Sequence, residues 1–143
     1  MLVQLRREAA IHKVTKEIYF CYGHRLVNYE GKCRHLHGHN GRAEIEISAD
    51  VLDHRGMVVD FGDINAVVKT WIDQELDHKM LLYRGDPILE VLQKLKEPCY
   101  VMQDNPTAEN IAKLIFEYAV SQGLRVSKVT MWETHSSFAI YEA

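Results

Sequence analysis

The 143-residue sequence predicts an α+β domain in which a four-stranded antiparallel sheet carries its helices on one face, in the order β-β-α-α-β-β. Three observations predict it. Strand-like segments occupy the two ends of the chain and helical ones its middle, without the regular alternation that a doubly wound parallel sheet needs. Residues 42–48 alternate cleanly, with Ala43, Ile45 and Ile47 on one side and Arg42, Glu44, Glu46 and Ser48 on the other. Residues 63–76 then switch to a helical period.

The first strand covers 17–22 (Glu-Ile-Tyr-Phe-Cys-Tyr), a β-branched and aromatic run. Asn28-Tyr29-Glu30-Gly31-Lys32 reads as the turn or loop before the second strand at 42–48. In the first helix Ile64, Val67, Val68, Trp71, Ile72 and Leu76 form one stripe, with Asp63 as the expected N-cap. A short helix is expected at 87–96, opened by Asp86-Pro87, with Ile88, Val91, Leu92 and Leu95 on one side. A clearer one runs from 107 to 121. Asn105-Pro106-Thr107 starts it, Ile111, Leu114, Ile115 and Tyr118 form its apolar face, and Gly123 stops it. Strands at 126–133 and 137–142 close the chain around a polar turn.

The length suits one domain spanning 1–143, with a core large enough to need no disulfide staple. Seventeen Lys+Arg against 20 Asp+Glu give a net charge of −3, which provides no global attraction for nucleic acid or an anionic membrane. No run approaches the roughly 18 apolar residues of a membrane span. Met1–Glu8 contains no apolar signal-peptide segment after its charges. Three loosely spaced cysteines (Cys21, Cys33, Cys99) argue against a disulfide framework and for a reducing compartment, so a cytoplasmic location is expected.

The unusual count is eight histidines, three of them inside Cys33-Arg34-His35-Leu36-His37-Gly38-His39. Residues i and i+2 of a strand share a face, so His37 and His39 present two imidazoles side by side, on the parity of Ala43, Ile45 and Ile47. An antiparallel neighbour ending near His24 brings a third; His35, of the same parity, is the alternative. Three imidazoles with a fourth position open are the pattern of a catalytic zinc rather than a closed structural one. Cys33 is then a base or nucleophile, a fourth ligand, or an inert buried thiol. Cys21 and Cys99 read as structural, Cys99 in a loop. Asp77-His78 pairs an acid with an imidazole, which alone describes an ordinary surface histidine equally well. Glu133 falls on the apolar side of its strand, where a carboxylate needs partners; a planar ligand with adjacent N–H donors satisfies both oxygens. An ion pair or a frayed strand end is the plainer alternative.

Taken together, these residues resemble the 6-pyruvoyltetrahydropterin synthase and 6-carboxytetrahydropterin synthase family. The matching pieces are His24-Arg25-Leu26, Cys33-x-x-x-His37-Gly38-His39, Val59-Asp60-Phe61, Leu76-Asp77-His78, Asn105-Pro106-Thr107-x-Glu109 and Trp132-Glu133-Thr134, in family order across 17–142. The resemblance implies a tunnelling fold whose trimers stack into a homo-hexamer. It implies zinc on His24, His37 and His39, Cys33 as catalytic base, Asp77 and His78 as a relay, Glu133 as the anchor of a pterin ring, and Thr107 beside it. Two departures stand out. Phe20-Cys21-Tyr22-Gly23 replaces the small residues usual before the first zinc histidine, and residues 83–103 are longer than the usual link.

The activity implied is a cytoplasmic zinc-dependent lyase acting on 7,8-dihydroneopterin triphosphate, with no nucleic-acid or membrane partner. The carboxy branch yields 6-carboxy-5,6,7,8-tetrahydropterin, acetaldehyde and triphosphate on the path to queuosine; the pyruvoyl branch eliminates triphosphate and keeps the carbons. A non-catalytic, zinc-stabilised binding module is the reading from another class.

Overall fold

The structure, a computed structural model, describes residues 10–143. Met1–Glu8, read above as lacking a signal segment, fall outside the described residues. The elements are β1 (His12–His24), β2 (His37–Ala49), α1 (Phe61–Ile64), α2 (Thr70–Glu75), β3 (Lys79–Tyr83), α3 (Ile88–Lys94), β4 (Cys99–Met102), α4 (Ala108–Ser121), β5 (Val126–Thr134) and β6 (Ser137–Glu142).

One six-stranded sheet has the order β4-β3-β1-β2-β5-β6. The four expected strands are β1, β2, β5 and β6, which pair antiparallel with one another. The expectation of a wholly antiparallel four-stranded sheet is corrected by β3 and β4, which add in parallel beside the end of β1. They come from Lys79-Met80-Leu81-Leu82-Tyr83 and Cys99-Tyr100-Val101-Met102, apolar runs too short to show a period of their own. Cys99 therefore opens a strand rather than sitting in a loop. The helix between them buries no residue fully, and Val91 and Leu95 are exposed, so its expected apolar face is not part of the core.

The core lies on one face of the sheet. Ile18, Phe20 and Tyr22 of β1, Ala43, Ile45 and Ile47 of β2, and Val129 and Met131 of β5 point the same way and are buried. Against them pack Ile111, Ile115 and Ala119 of α4 and the stripe Ile64, Val68, Ile72 and Leu76. That stripe repeats every four residues, because the backbone between α1 and α2 opens into a π-helical segment at Asn65–Lys69. Asp60, not Asp63, caps α1, its carboxylate accepting from the Gly62 N–H at 2.7 Å. Thr107 caps α4 by accepting from the Asn110 N–H, and Gly123, at φ 92°, ends the turn beyond it.

The two long strands set the site. β1 and β2 pair without interruption from His12/Ala49 to His24/His37, which brings three histidines to one end of one face.

Candidate active site

His24 ends β1 directly opposite His37, and Tyr22 stands opposite His39. The ligand nitrogens of His24, His37 and His39 all lie within 4.8 Å of one another. His35 does not join them; its ring lies beside the Arg34 side chain.

The hydrogen bonds around the rings decide their tautomers. His24 Nδ1–H donates to the Pro106 carbonyl at 2.6 Å, and His37 Nδ1–H donates to the His35 carbonyl at 2.7 Å. A carbonyl only accepts, so both protons sit on Nδ1 and both Nε2 atoms present lone pairs inward. His37 Nε2 is buried without a partner. His24 Nε2 faces His39 Nε2 at 3.1 Å. Burial pushes His24 down to about 4, with the Pro106 carbonyl opposing and the His37 and His39 charges reinforcing the effect. His39 is lowered chiefly by burial, against the pull of Glu133. Neutral imidazoles with outward Nδ1–H groups anchored on carbonyls and lone pairs converging inward are the arrangement that a divalent cation with nitrogen ligands requires. Among the described residues, this donor set fits such an ion.

Beside the cluster lies a cavity of about 450 Å³, into which His24, Cys33, Thr107, Glu109 and Glu133 open. Cys33 sits in the single 3₁₀ turn Lys32–Arg34, and its carbonyl accepts from the Leu26 N–H at 2.8 Å, closing the loop across the cavity rim. The Asn105 side chain grips the same loop, accepting from the Val27 N–H at 3.0 Å and donating to the Val27 carbonyl at 2.8 Å. Glu133 owes its aim to a bulge. Trp132 pairs with Phe138 but Thr134 pairs with Ser137, which leaves Glu133 as the extra residue. Its Oε1 lies 3.8 Å from His24 Nε2, and its side chain is a quarter exposed.

Asp77 and His78 do not line this cavity; His78 lines a separate cleft with Gly23, Met80 and Pro98. They are nonetheless tightly built. The Cys21 N–H donates to Asp77 Oδ1 at 2.9 Å, His78 Nδ1–H donates to Asp77 Oδ2 at 2.7 Å, and the His78 N–H donates to the Cys21 carbonyl. Burial opposes the Asp77 charge, but the Cys21 N–H and His78 outweigh it and hold the carboxyl below its usual range. His78 itself is 79% exposed and takes the left-handed conformation, φ 57°. The structure thus gathers His24, His37, His39, Cys33, Thr107 and Glu133 and leaves the Asp77–His78 pair outside.

Tyr29 and Phe138 also border the cavity. No sequence pattern marks them, since one lies in an irregular loop and the other has the parity of the opposite sheet face. Tyr22 is the residue that periodicity alone assigns to the core. Its ring meets His24 edge-on at 5.2 Å and His39 at 5.7 Å, and its buried hydroxyl has no partner.

The family described as 6-pyruvoyl tetrahydropterin synthase matches residues 13–143. The chain is 40% identical over 135 residues to the 6-carboxy-5,6,7,8-tetrahydropterin synthase of Rickettsia felis, covering 88% of this chain and 96% of the relative. It is 35% identical over 138 residues to the protein of the same name from Haemophilus influenzae, covering 91% and 98%. Among solved structures, an uncharacterized protein of Wolinella succinogenes superposes with a TM-score of 0.80 at 29% identity, covering 93% and 98%. The Caenorhabditis elegans 6-pyruvoyl tetrahydropterin synthase shares the fold, with a TM-score of 0.69 at 22% identity over 94% and 96%.

Proposed function

The chain belongs to the 6-pyruvoyl tetrahydropterin synthase family, and from that premise we propose that it is a zinc-dependent 6-carboxy-5,6,7,8-tetrahydropterin synthase. The proposed reaction consumes 7,8-dihydroneopterin triphosphate and a water molecule and gives 6-carboxy-5,6,7,8-tetrahydropterin, acetaldehyde and triphosphate, on the path to queuosine. The observation that carries this reading is the convergence of three imidazoles beside a cavity that also holds a thiol and a carboxylate.

His24, His37 and His39 hold the zinc in this reading. When bound, that ion supplies Lewis-acid polarisation of the substrate's side-chain hydroxyls. Glu133 accepts from the amino and ring N–H groups of the pterin with its two carboxylate oxygens, which fixes the ring relative to Cys33. Thr107 stands at the start of α4 on the cavity wall, beside the ring. Cys33 Sγ takes the side-chain proton, and His78, held in orientation by Asp77, carries the second transfer.

Because Asp77 and His78 lie outside the cavity of their own chain, the reading requires a neighbouring copy to bring them in. Two open edges permit it. Among the described residues, β1 is paired on its outer side only at Tyr22–His24, and β6 has no outer neighbour in the sheet. A β6 edge of one copy added to the β1 edge of the next closes a ring, and a homo-hexamer of two such rings is the assembly proposed. Among the described residues no helix is long and apolar enough to cross a membrane. The proposed location is the cytoplasm.

Incubation with 7,8-dihydroneopterin triphosphate and mass-spectrometric product analysis tests the reading. Carboxypterin with acetaldehyde is the expected outcome. Triphosphate release without acetaldehyde would establish the pyruvoyl synthase instead. A non-catalytic binding module would show no turnover and no difference between wild type and Cys33→Ala. The proposed enzyme gives a folded, metal-loaded and inactive Cys33→Ala.

A further inference from the structure

Tyr22 is 1% exposed, its buried hydroxyl has no hydrogen-bond partner among the described residues, and its ring lies against His24 and His39. Leaving a buried hydroxyl unpaired costs on the order of 1–3 kcal/mol, so such a group calls for an explanation. The ring position supplies one. Tyr22 leans along β2 over Gly41, where a Cβ would stand 2.8 Å from Tyr22 Cε1 and 2.6 Å from Met131 Cε. Continuing the Arg42/Trp132 register by one residue brings Glu133 of β5 opposite Gly41. Tyr22 thus reaches across a strand that has no side chain at that point, toward the strand that carries Glu133. Both residues approach His24, Tyr22 edge-on at 5.2 Å and Glu133 at 3.8 Å from Nε2. A phenol is a donor at neutral pH, and an ionised carboxylate only accepts. With the His24 and His37 N–H groups spent on carbonyls, their Nε2 lone pairs are the ones a metal ion would take, so in the metal-loaded site the facing acceptor left to the hydroxyl is Glu133.

We propose that Tyr22 is a positioning residue whose hydroxyl donates to the Glu133 carboxylate in the ligand-loaded site, fixing the rotamer in which Glu133 grips a flat heterocycle with adjacent N–H donors. The proposal rests on the assignment of Glu133 as ligand anchor. It accounts for a bulky aromatic two residues before a metal-site histidine, opposite a strand that must carry glycine. Among the described residues the phenol bonds no backbone group and caps no helix.

The test is Tyr22→Phe, which keeps the ring and removes the hydroxyl. Metal-loaded wild type, Tyr22→Phe, Glu133→Ala and the double variant are titrated with pterin (2-amino-4-oxopteridine), read by its own fluorescence. The expected result is a roughly tenfold rise in Kd for Tyr22→Phe, with unchanged metal content and a Tm equal to or above wild type, since the hydroxyl has no partner in the unliganded fold. In the Glu133→Ala background, where the acceptor is gone, the same substitution should change Kd little. Wild-type affinity in Tyr22→Phe overturns the proposal, as does an equal loss in both backgrounds. Failure of wild type itself to bind pterin overturns the anchor assignment as well, and is distinguished by appearing before any substitution is made.

Discussion

Arg25 and Asp86 form a two-pronged ion pair, with Arg25 Nε–H donating to Asp86 Oδ2 at 2.7 Å and Nη2–H donating to Oδ1. Asp86 also accepts from the Ile88 N–H at 2.9 Å, so one carboxylate joins the residue after His24 to the first turn of α3. The 83–103 segment therefore has a structural office: it holds the end of the strand that carries His24.

The pair predicts a pH-dependent stability. Burial opposes the Asp86 charge, but the hydrogen bonds from Arg25 and Ile88 and the Arg25 charge outweigh it, holding the carboxyl below its usual range. A depressed carboxyl stabilises the fold where it is ionised, above the unfolded value of about 3.9, and that contribution is lost as pH falls through the lower folded value. Asp86→Asn keeps an acceptor for Ile88 but loses the charge. It should cost about 1–3 kcal/mol at neutral pH by urea unfolding. The difference from wild type should shrink as pH drops from about 4. A pH-independent difference would contradict this account.

His78 separates activity from stability. It is solvent-exposed, bears a left-handed backbone and serves the proposed reaction by its ring. Glycine adopts that backbone freely. His78→Gly relieves the left-handed backbone while giving up the hydrogen bond to Asp77, so its Tm should stay within a few degrees of wild type, yet turnover should fall by roughly 10²–10⁴-fold. Retained turnover would remove His78 from the mechanism.

Gly41 leaves a space that two side chains, Tyr22 and Met131, already fill. A methyl there meets Met131 Cε, a flexible end, and Tyr22 Cε1, a rigid ring. Gly41→Ala should destabilise by about 1–3 kcal/mol and disturb the ring beside His24 and His39. Much of that cost should be relieved when Tyr22 is also reduced to Ala, since the two substitutions share a contact. Additive Tm losses in the double variant would show the contact to be immaterial.

Metal binding should appear as stabilisation. At a zinc concentration 100 times Kd, the folded chain gains about 2.7 kcal/mol, several degrees of Tm for a domain of this size. His37→Ala removes one inward lone pair from the half-buried cluster. It should abolish the zinc-dependent shift while leaving a folded protein. Collapse without metal would instead mark a structural ion.

Much of this was legible in the residues. Alternation in 42–48 fixes which face β2 buries, and the i, i+2 spacing of His37 and His39 follows from strand geometry. Thr107 and Gly123 bracket α4 because capping chemistry is local. Long-range relations were not legible. Periodicity left His24 and His35 equal; the β1–β2 register, with His24 opposite His37, separates them. The bulge that turns Glu133 toward His24 arises from the β5–β6 pairing, and a one-residue offset has no signature in either strand. β3 and β4 are too short to announce themselves, and their parallel pairing depends on the crossover through α3. Asp60 and Asp63 are equivalent caps on composition, and only the backbone chooses between them.

The most direct test of the central claim is anomalous diffraction at the zinc absorption edge from crystals of the full chain grown with zinc. The account predicts one strong peak per chain, about 2.0–2.1 Å from Nε2 of His24, His37 and His39. A cluster without density, or zinc bound elsewhere with these rings left as they are, would contradict it.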